Sequence, residues 1–319
     1  MRIVDIHSHF YPRAYLDLLR RILKNDSTPW ARSVQQIQTL LVLREPRMVD
    51  ISAHIDDMDR FGVEMQVLSL SIPHAYFDDE ADSVEACRIV NDSLAEVCAR
   101  YPARFKGLAL LPLPHADAAL KELDRAANEL GLNGVALGAN IKGTPVDDER
   151  FRPLYRELNR LEMVVHFHPM IPPGDEEMGD YGISPQVGYL MDTAVAALRL
   201  MNSGILEENP QMKCVMPHLG TYLLSAWDRI ENSPRGKIDR ILKPLGSFLK
   251  ELYFDSVNLH RPMWDCAMQT IDVSHIVYGT DYPFVPGSTE RGIELINGLD
   301  ITDEQREGIF HSNVEPLLK

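Results

Sequence analysis

The sequence predicts a (β/α)8 barrel, and three observations carry that reading. Eight short apolar segments recur along the chain, and seven of them are followed by a helical pattern. Strands that alternate with helices pair in parallel. No G-x-G-x-x-G follows the first strand, which disfavours the rival open, doubly wound sheet. The 319 residues suit one such barrel. We read 1–319 as a single domain with an inserted loop region at about 13–48, after strand one.

Taken in order, Ile3, Val4 and Ile6 open a strand that stops at His7-Ser8-His9, with Pro12 three residues on. Residues 13–48 read as a polar, irregular insertion, either a loop over a site or a plain surface excursion. Asp50–Phe61 shows Ile51, Ile55 and Met58 at helical spacing and Gly62 at the stop. Glu64–Ser71 is a strand and Ala81–Tyr101 a long helix closed by Pro102. Phe105–Pro112 is a buried-type strand, and His115–Leu130 a helix ended by Gly131. A strand at Asn133–Gly138, a helix at Asp148–Leu161 and a strand at Met163–His168 follow. A loop rich in Pro, Gly and acids spans Met170–Gly188. Leu190–Leu206 reads as helix, Met212–Pro217 as strand and Tyr222–Ser233 as helix. After a variable stretch come a strand at Leu252–Val257, a helix at Arg261–Thr270 and a last strand at His275–Gly279. Helices near Thr289–Gly298 and Thr302–His311 close the chain.

Composition narrows the function. The net charge of −15 argues against nucleic acid or an anionic membrane as partner. It does not argue against an anionic small molecule, because local charge decides that. Cys87, Cys98, Cys214 and Cys266 are scattered, with no C-x-x-C, and read as reduced thiols. No leader and no membrane-length apolar run is visible, so a cytoplasmic location is expected.

The strand ends carry the chemistry. In a strand, side chains two apart point to one side. His7 and His9 therefore face one point, which is half of a metal site. Strand five ends in His166-Phe167-His168, strand six in Pro217-His218-Leu219-Gly220, and strand eight in Gly279-Thr280-Asp281. A barrel gathers catalytic groups at this face. His166 and His168 compete for one role. We prefer His168, at the strand tip.

Asp5-Ile6-His7-Ser8-His9, His168-Pro169, His218-Leu219-Gly220 and Gly279-Thr280-Asp281-Tyr282-Pro283-Phe284 resemble the metal-dependent amidohydrolase superfamily, in the branch typified by aminocarboxymuconate-semialdehyde decarboxylase. The likeness runs essentially end to end. It implies His7, His9, His168 and Asp281 as metal ligands and His218 as the acid/base group beside the metal, with Asp281 sharing the proton work. Three imidazoles and a carboxylate suit Zn²⁺, with Mn²⁺ as the alternative. Arg229 falls where the resembling decarboxylases hold a substrate carboxylate, in that family reaching a neighbouring subunit, so a homodimer is implied. Arg44 and Arg47 fall near a second such arginine, and we carry Arg47 forward. Phe284, Trp30 and Phe10 are candidate pocket walls. Two stretches depart from the typical decarboxylase. His218-Leu-Gly-Thr replaces a run of glycines, and the loop after His168 holds Asp175, Glu176 and Glu177, which would stand near the mouth.

The expected activity is a metal-dependent lyase that decarboxylates a small unsaturated or aromatic carboxylic acid without oxidation. The alternative is a metal-dependent hydrolase of an amide, lactone or ester. A third possibility is an inert barrel with a structural metal, against which His218 and the long loops over the face both stand.

Overall fold

The computed structural model describes residues 2–26, 28, 31–32, 34–35, 45–233 and 243–318. Trp30 and Arg44 lie outside them. Eight barrel strands follow in order: β1 (Val4–His9), β2 (Met65–Ser69), β3 (Phe105–Ala109), β4 (Gly134–Gly138), β5 (Val164–His168), β6 (Lys213–Met216), β7 (Leu252–Asp255) and β8 (Ile276–Val277). Each strand is hydrogen-bonded to the next in sequence, and every such pair is parallel. The chain between β8 and residue 282 closes the ring onto β1. Ile6 N–H donates to Tyr278 O at 2.9 Å, Asp281 N–H to His7 O at 2.8 Å and His9 N–H to Tyr282 O at 2.8 Å.

The interior is filled in layers, as a barrel of this size requires. Val4, Ile6, Val67, Leu108, Ala136, Val164, Val215 and Val277 form one buried cluster, floored by Val314 and Leu317. The opposite strand faces pack against the helices in the larger core, where Leu68, Phe105, Val135 and Phe167 are fully or almost fully buried. Strict alternation would turn His7 and His9 away from the side that Val4 and Ile6 occupy. A β-bulge prevents this. Asp5 pairs with Gln66 and Ser8 with Leu68, so three steps on β1 match two on β2. One extra residue re-aims the strand, and its upper half turns both histidines inward.

Most helices form where the hydrophobic spacing places them. Asp50 accepts from Ser52 N–H at 2.9 Å to start Ile51–Phe61, and Gly62 ends it at φ 73°. Such a left-handed stop is cheap only for glycine. The stretch 13–48 is not all irregular. Arg13–Ile22 is a helix that buries Tyr15, Leu16, Leu18 and Leu19, and Tyr15 Oη donates to Pro73 O at 2.6 Å. Tertiary packing of that apolar stripe outweighs its four charged residues. Two other expected helices are broken. Leu190–Leu206 becomes Tyr189–Asn202 and Ile205–Glu208, divided by Gly204 at φ 81°. Tyr222–Ser233 becomes Thr221–Ser225 and Trp227–Asn232. Phe105–Pro112 ends as a strand at Ala109, and β8 keeps only two ladder residues. Among the described residues no helix is long and apolar enough to cross a membrane.

Candidate active site

At the carboxyl ends of the strands four donor groups converge. His7, His9, His168 and Asp281 each bring one ligand atom to within 4.8 Å of all the others. His7 Nε2 and His9 Nε2 are 3.0 Å apart, and Asp281 Oδ1 lies 3.0 Å from His9 Nε2 and 3.4 Å from His7 Nε2. Donors held about 2.1 Å from one ion keep mutual distances of roughly 3.0–3.4 Å, from octahedral to tetrahedral geometry. The spacings among His7, His9 and Asp281 therefore fit a shell around a single divalent cation, with His168 within 4.8 Å of all three.

The outer nitrogens show how that shell is aimed. His7 Nδ1 lies 2.6 Å from Asp255 Oδ2, His9 Nδ1 3.1 Å from Ser69 Oγ, and His168 Nδ1 2.9 Å from Pro169 O. Carboxylate and carbonyl accept, so His7 and His168 donate outward. Ser69 Oγ–H donates to Ser8 O at 3.3 Å, which leaves its oxygen to accept from His9. All three imidazoles thus keep the Nε2 lone pair pointing inward, the pattern of ligating histidines. Burial brings the His7 pKa down to about 4, against the pull of Asp255 and Asp281. His168 is also held well below its ordinary value, by burial and then by His9 and His7. Asp281 is buried, which raises its pKa, but the histidines around it outweigh burial and hold it well below the usual range. Neutral imidazoles and an ionised carboxylate are the states a metal needs.

Asp255, at the end of β7, has no place among the residues expected from sequence, yet it is central here. It is fully buried. Besides His7, its Oδ1 accepts from His218 N–H at 2.7 Å and Val257 N–H at 3.0 Å. A buried carboxylate is tolerated only with such partners. Glycine is favoured where the chain after β8 passes it, because a Cβ on Gly279 would lie 3.0 Å from the Cβ atoms of both His7 and Asp255, and one of them would have to give way. His166 sits one layer deeper. Its Nε2 is 3.4 Å from Asp255 Oδ2, and neither ring nitrogen has a hydrogen-bond partner. It belongs to a second possible grouping, His7, His166 and Asp255, and is absent from the four-donor cluster.

His218 stands beside the cluster, with Nε2 3.6 Å from Asp281 Oδ2. Burial lowers its pKa, but the Asp281 carboxylate and then the charge of Asp255 outweigh that and raise it overall. Its backbone is left-handed at φ 58°, as are Leu219 at 53° and Asp281 at 56°. Non-glycine residues in that region cost energy, and such strain gathers at functional sites. The bonds from His218 N–H to Asp255 and from Asp281 N–H to His7 O hold both residues there.

These groups open into a cavity of about 690 Å³ whose wall includes Ser71, Tyr189, Leu190, Asn258 and Phe284. Phe284 packs edge-on to His9 with ring centres 5.4 Å apart. The other expected substrate contacts lie elsewhere. Arg47 pairs with Asp57 at 2.6 Å and Glu45 at 3.2 Å and is outside the cavity wall, and Arg229 is exposed on Trp227–Asn232. Phe10 is buried in the core. Pro185, Tyr189 and Leu190 line the mouth, and Asp175, Glu176 and Glu177 do not.

The chain is similar to known proteins along most of its length. The family model described as Amidohydrolase matches residues 4–319. The chain is 31% identical to gamma-resorcylate decarboxylase of Rhizobium sp. (strain MTP-10005), over 86% of this chain and 88% of the relative. It is 26% identical to 2-amino-3-carboxymuconate-6-semialdehyde decarboxylase of Dictyostelium discoideum, over 84% of this chain and 76% of the relative. Among solved structures, a dihydroxybenzoic acid decarboxylase from Polaromonas sp. JS666, with bound manganese and the inhibitor 2-nitroresorcinol, superposes with a TM-score of 0.80. That match covers 99% of this chain and 96% of the other, at 24% identity.

Proposed function

The chain belongs to the amidohydrolase family, and from that premise we propose that it is a metal-dependent carboxy-lyase, which removes CO2 without oxidation from a small unsaturated or aromatic carboxylic acid. The observation that carries this reading is the convergence of His7, His9, His168 and Asp281 with His218 beside them at one end of the cavity. Those four residues would hold one divalent cation. The donor set accepts Zn²⁺ or Mn²⁺. When bound, the ion supplies positive charge that orients and polarises the oxygen atoms of the acid.

The chain's own groups do the rest. Phe284, Tyr189 and Leu190 present apolar surface to the carbon skeleton, and their packing excludes water from around the scissile bond. His218 donates a proton to the carbon that bears the carboxylate. The carbon–carbon bond then breaks, and its electron pair returns to the unsaturated system as CO2 leaves. One proton is consumed and no electron is exchanged with any partner. Asp281, ionised beside His218, favours the imidazolium that makes this donation.

The chain acts as one catalytic domain, assembled as a homodimer. The exposed position of Arg229 supports a role towards a partner subunit, since within one chain it does not line the cavity. The four unpaired cysteines are in keeping with a cytoplasmic location.

The test is to load the purified protein with Mn²⁺ or Zn²⁺, count metal by elemental mass spectrometry, and assay CO2 release from a panel of aromatic and unsaturated acids. We expect about one ion per chain, lost in the double variant His7→Ala/His9→Ala. His218→Asn should keep the metal and lose roughly 10²–10⁴-fold in kcat. Absence of metal after loading sinks the reading. Products of water addition without CO2 would assign a hydrolase instead.

A further inference from the structure

His166 is a buried imidazole that the chemistry above does not use. It lies on β5, fully buried, two residues below His168. It is in register with Ala136 on β4 and Val215 on β6, and both belong to the apolar cluster inside the barrel. Paired residues of neighbouring strands point to one side, so the ring sits among hydrocarbon side chains. A neutral imidazole carries one N–H and one lone pair. Neither His166 nitrogen has a hydrogen-bond partner among the described residues. A buried polar group in that state costs stability, and an apolar residue would fill the layer without the cost. Such costs gather where function needs them.

Two contacts show what the ring serves. Its Nε2 lies 3.4 Å from Asp255 Oδ2. That oxygen already accepts from His7 Nδ1 at 2.6 Å, while Asp255 Oδ1 takes the N–H groups of His218 and Val257. A carboxylate oxygen accepts two bonds, so Oδ2 has capacity for one more donor. The His166 ring also packs edge-on to His7, with centres 4.6 Å apart and planes at 70°. It therefore touches both members of the Asp255–His7 pair. At 3.4 Å the attraction to Asp255 is mainly electrostatic, and burial strengthens it by excluding water. We propose that His166 is a positioning residue for the metal site: with Nε2–H directed at Asp255 Oδ2 and its ring against His7, it keeps the carboxylate from turning away and so fixes the aim of the His7 Nε2 lone pair. This rests on the metal-centre reading above and adds to it a residue that holds no ion itself.

Zn²⁺ affinity of the full chain, measured by competition with a chromogenic chelator, tests the inference without turnover. Co²⁺ absorption spectra of the same proteins read the ligand geometry. His166→Phe keeps a ring of similar size and removes the donor. It should bind Zn²⁺ roughly tenfold more weakly and shift the Co²⁺ bands. His166→Gln, whose amide N–H can reach the same oxygen, should recover most of the affinity. In urea, the metal-free His166→Phe chain should be at least as stable as the wild type, since an unpartnered buried polar group is gone. A role in packing alone predicts the reverse, with lower stability and no rescue by Gln. His166→Leu, smaller than the native ring, makes the same comparison with no risk of overfilling the layer. In an Asp255→Asn background, His166→Phe should cost less than about twofold further, because both changes act through one contact. Wild-type affinity in His166→Phe and His166→Leu, equal losses in the Phe and Gln variants, or a full tenfold loss on top of Asp255→Asn each overturn the inference and leave the metal reading standing. A wild type that binds no Zn²⁺ overturns both.

Discussion

Asp255 shows what a single buried side chain does for this site. It fixes the His7 tautomer through Nδ1 and anchors the strained His218 backbone through its other oxygen. Asp255→Asn keeps the shape but replaces one acceptor oxygen with an amide. We expect metal affinity to fall roughly 10–100-fold, measured by chelator competition, with the protein still folded. Unchanged affinity would mean that His7 needs no such anchor. The ligand set was legible because histidines at strand tips are conspicuous. Asp255 was not, because Leu252–Val257 read as one strand and placed the acid inside it. The ladder stops at Asp255 itself, where His7 on β1 and the backbone N–H groups of Val257, in the following turn, and His218, after β6, bind its carboxylate.

At the scale of elements, the turn after β5 is held to the helix Tyr189–Asn202 by one acid. Asp192 accepts from Met170 N–H at 2.9 Å and from Asn140 Nδ2 at 3.0 Å. It is 6% exposed, and burial, opposed by those two bonds, raises its pKa from 3.8 to about 6. At low pH the carboxyl is protonated in both folded and unfolded chains. As pH rises, the unfolded chain releases its proton first, so folding loses stability between about pH 4 and pH 6. Relative to Asp192→Asn, the wild type should lose about 2 kcal/mol over that window, read from urea unfolding at pH 4 and pH 7. Parallel pH dependences would show that the carboxyl is already solvated. The long helices were legible from their spacing and caps. The helix Arg13–Ile22 was equally readable, since Tyr15, Leu16, Leu18, Leu19 and Ile22 fall on one face. Its charges drew it into the insertion. The β-bulge at Asp5–Ser8 leaves no mark in a two-residue alternation.

For the whole molecule, the barrel was legible in the regular return of apolar strands, because each parallel strand is buried on both faces. Assembly was not, since no pattern within one chain records a partner. The exposed apolar side chains Tyr181, Met191 and Val195 sit on the loop and helix beside the cavity mouth. Surface apolar groups gathered in this way favour association. We expect sedimentation velocity at micromolar concentration to show a dimer, and Met191→Lys/Val195→Lys to shift it towards monomer. A monomeric wild type would remove any trans role for Arg229. The seam that closes the ring has a different consequence. His9 and Asp281 meet across 272 positions of sequence. His7 and His9, half of the donor set, are thus made 272 residues or more before the last donor. A chain growing from the ribosome carries both histidines through all that synthesis without the carboxylate that completes them. Loading with metal therefore waits on Asp281, and a chain terminated before it cannot compete for the ion as one that contains it does.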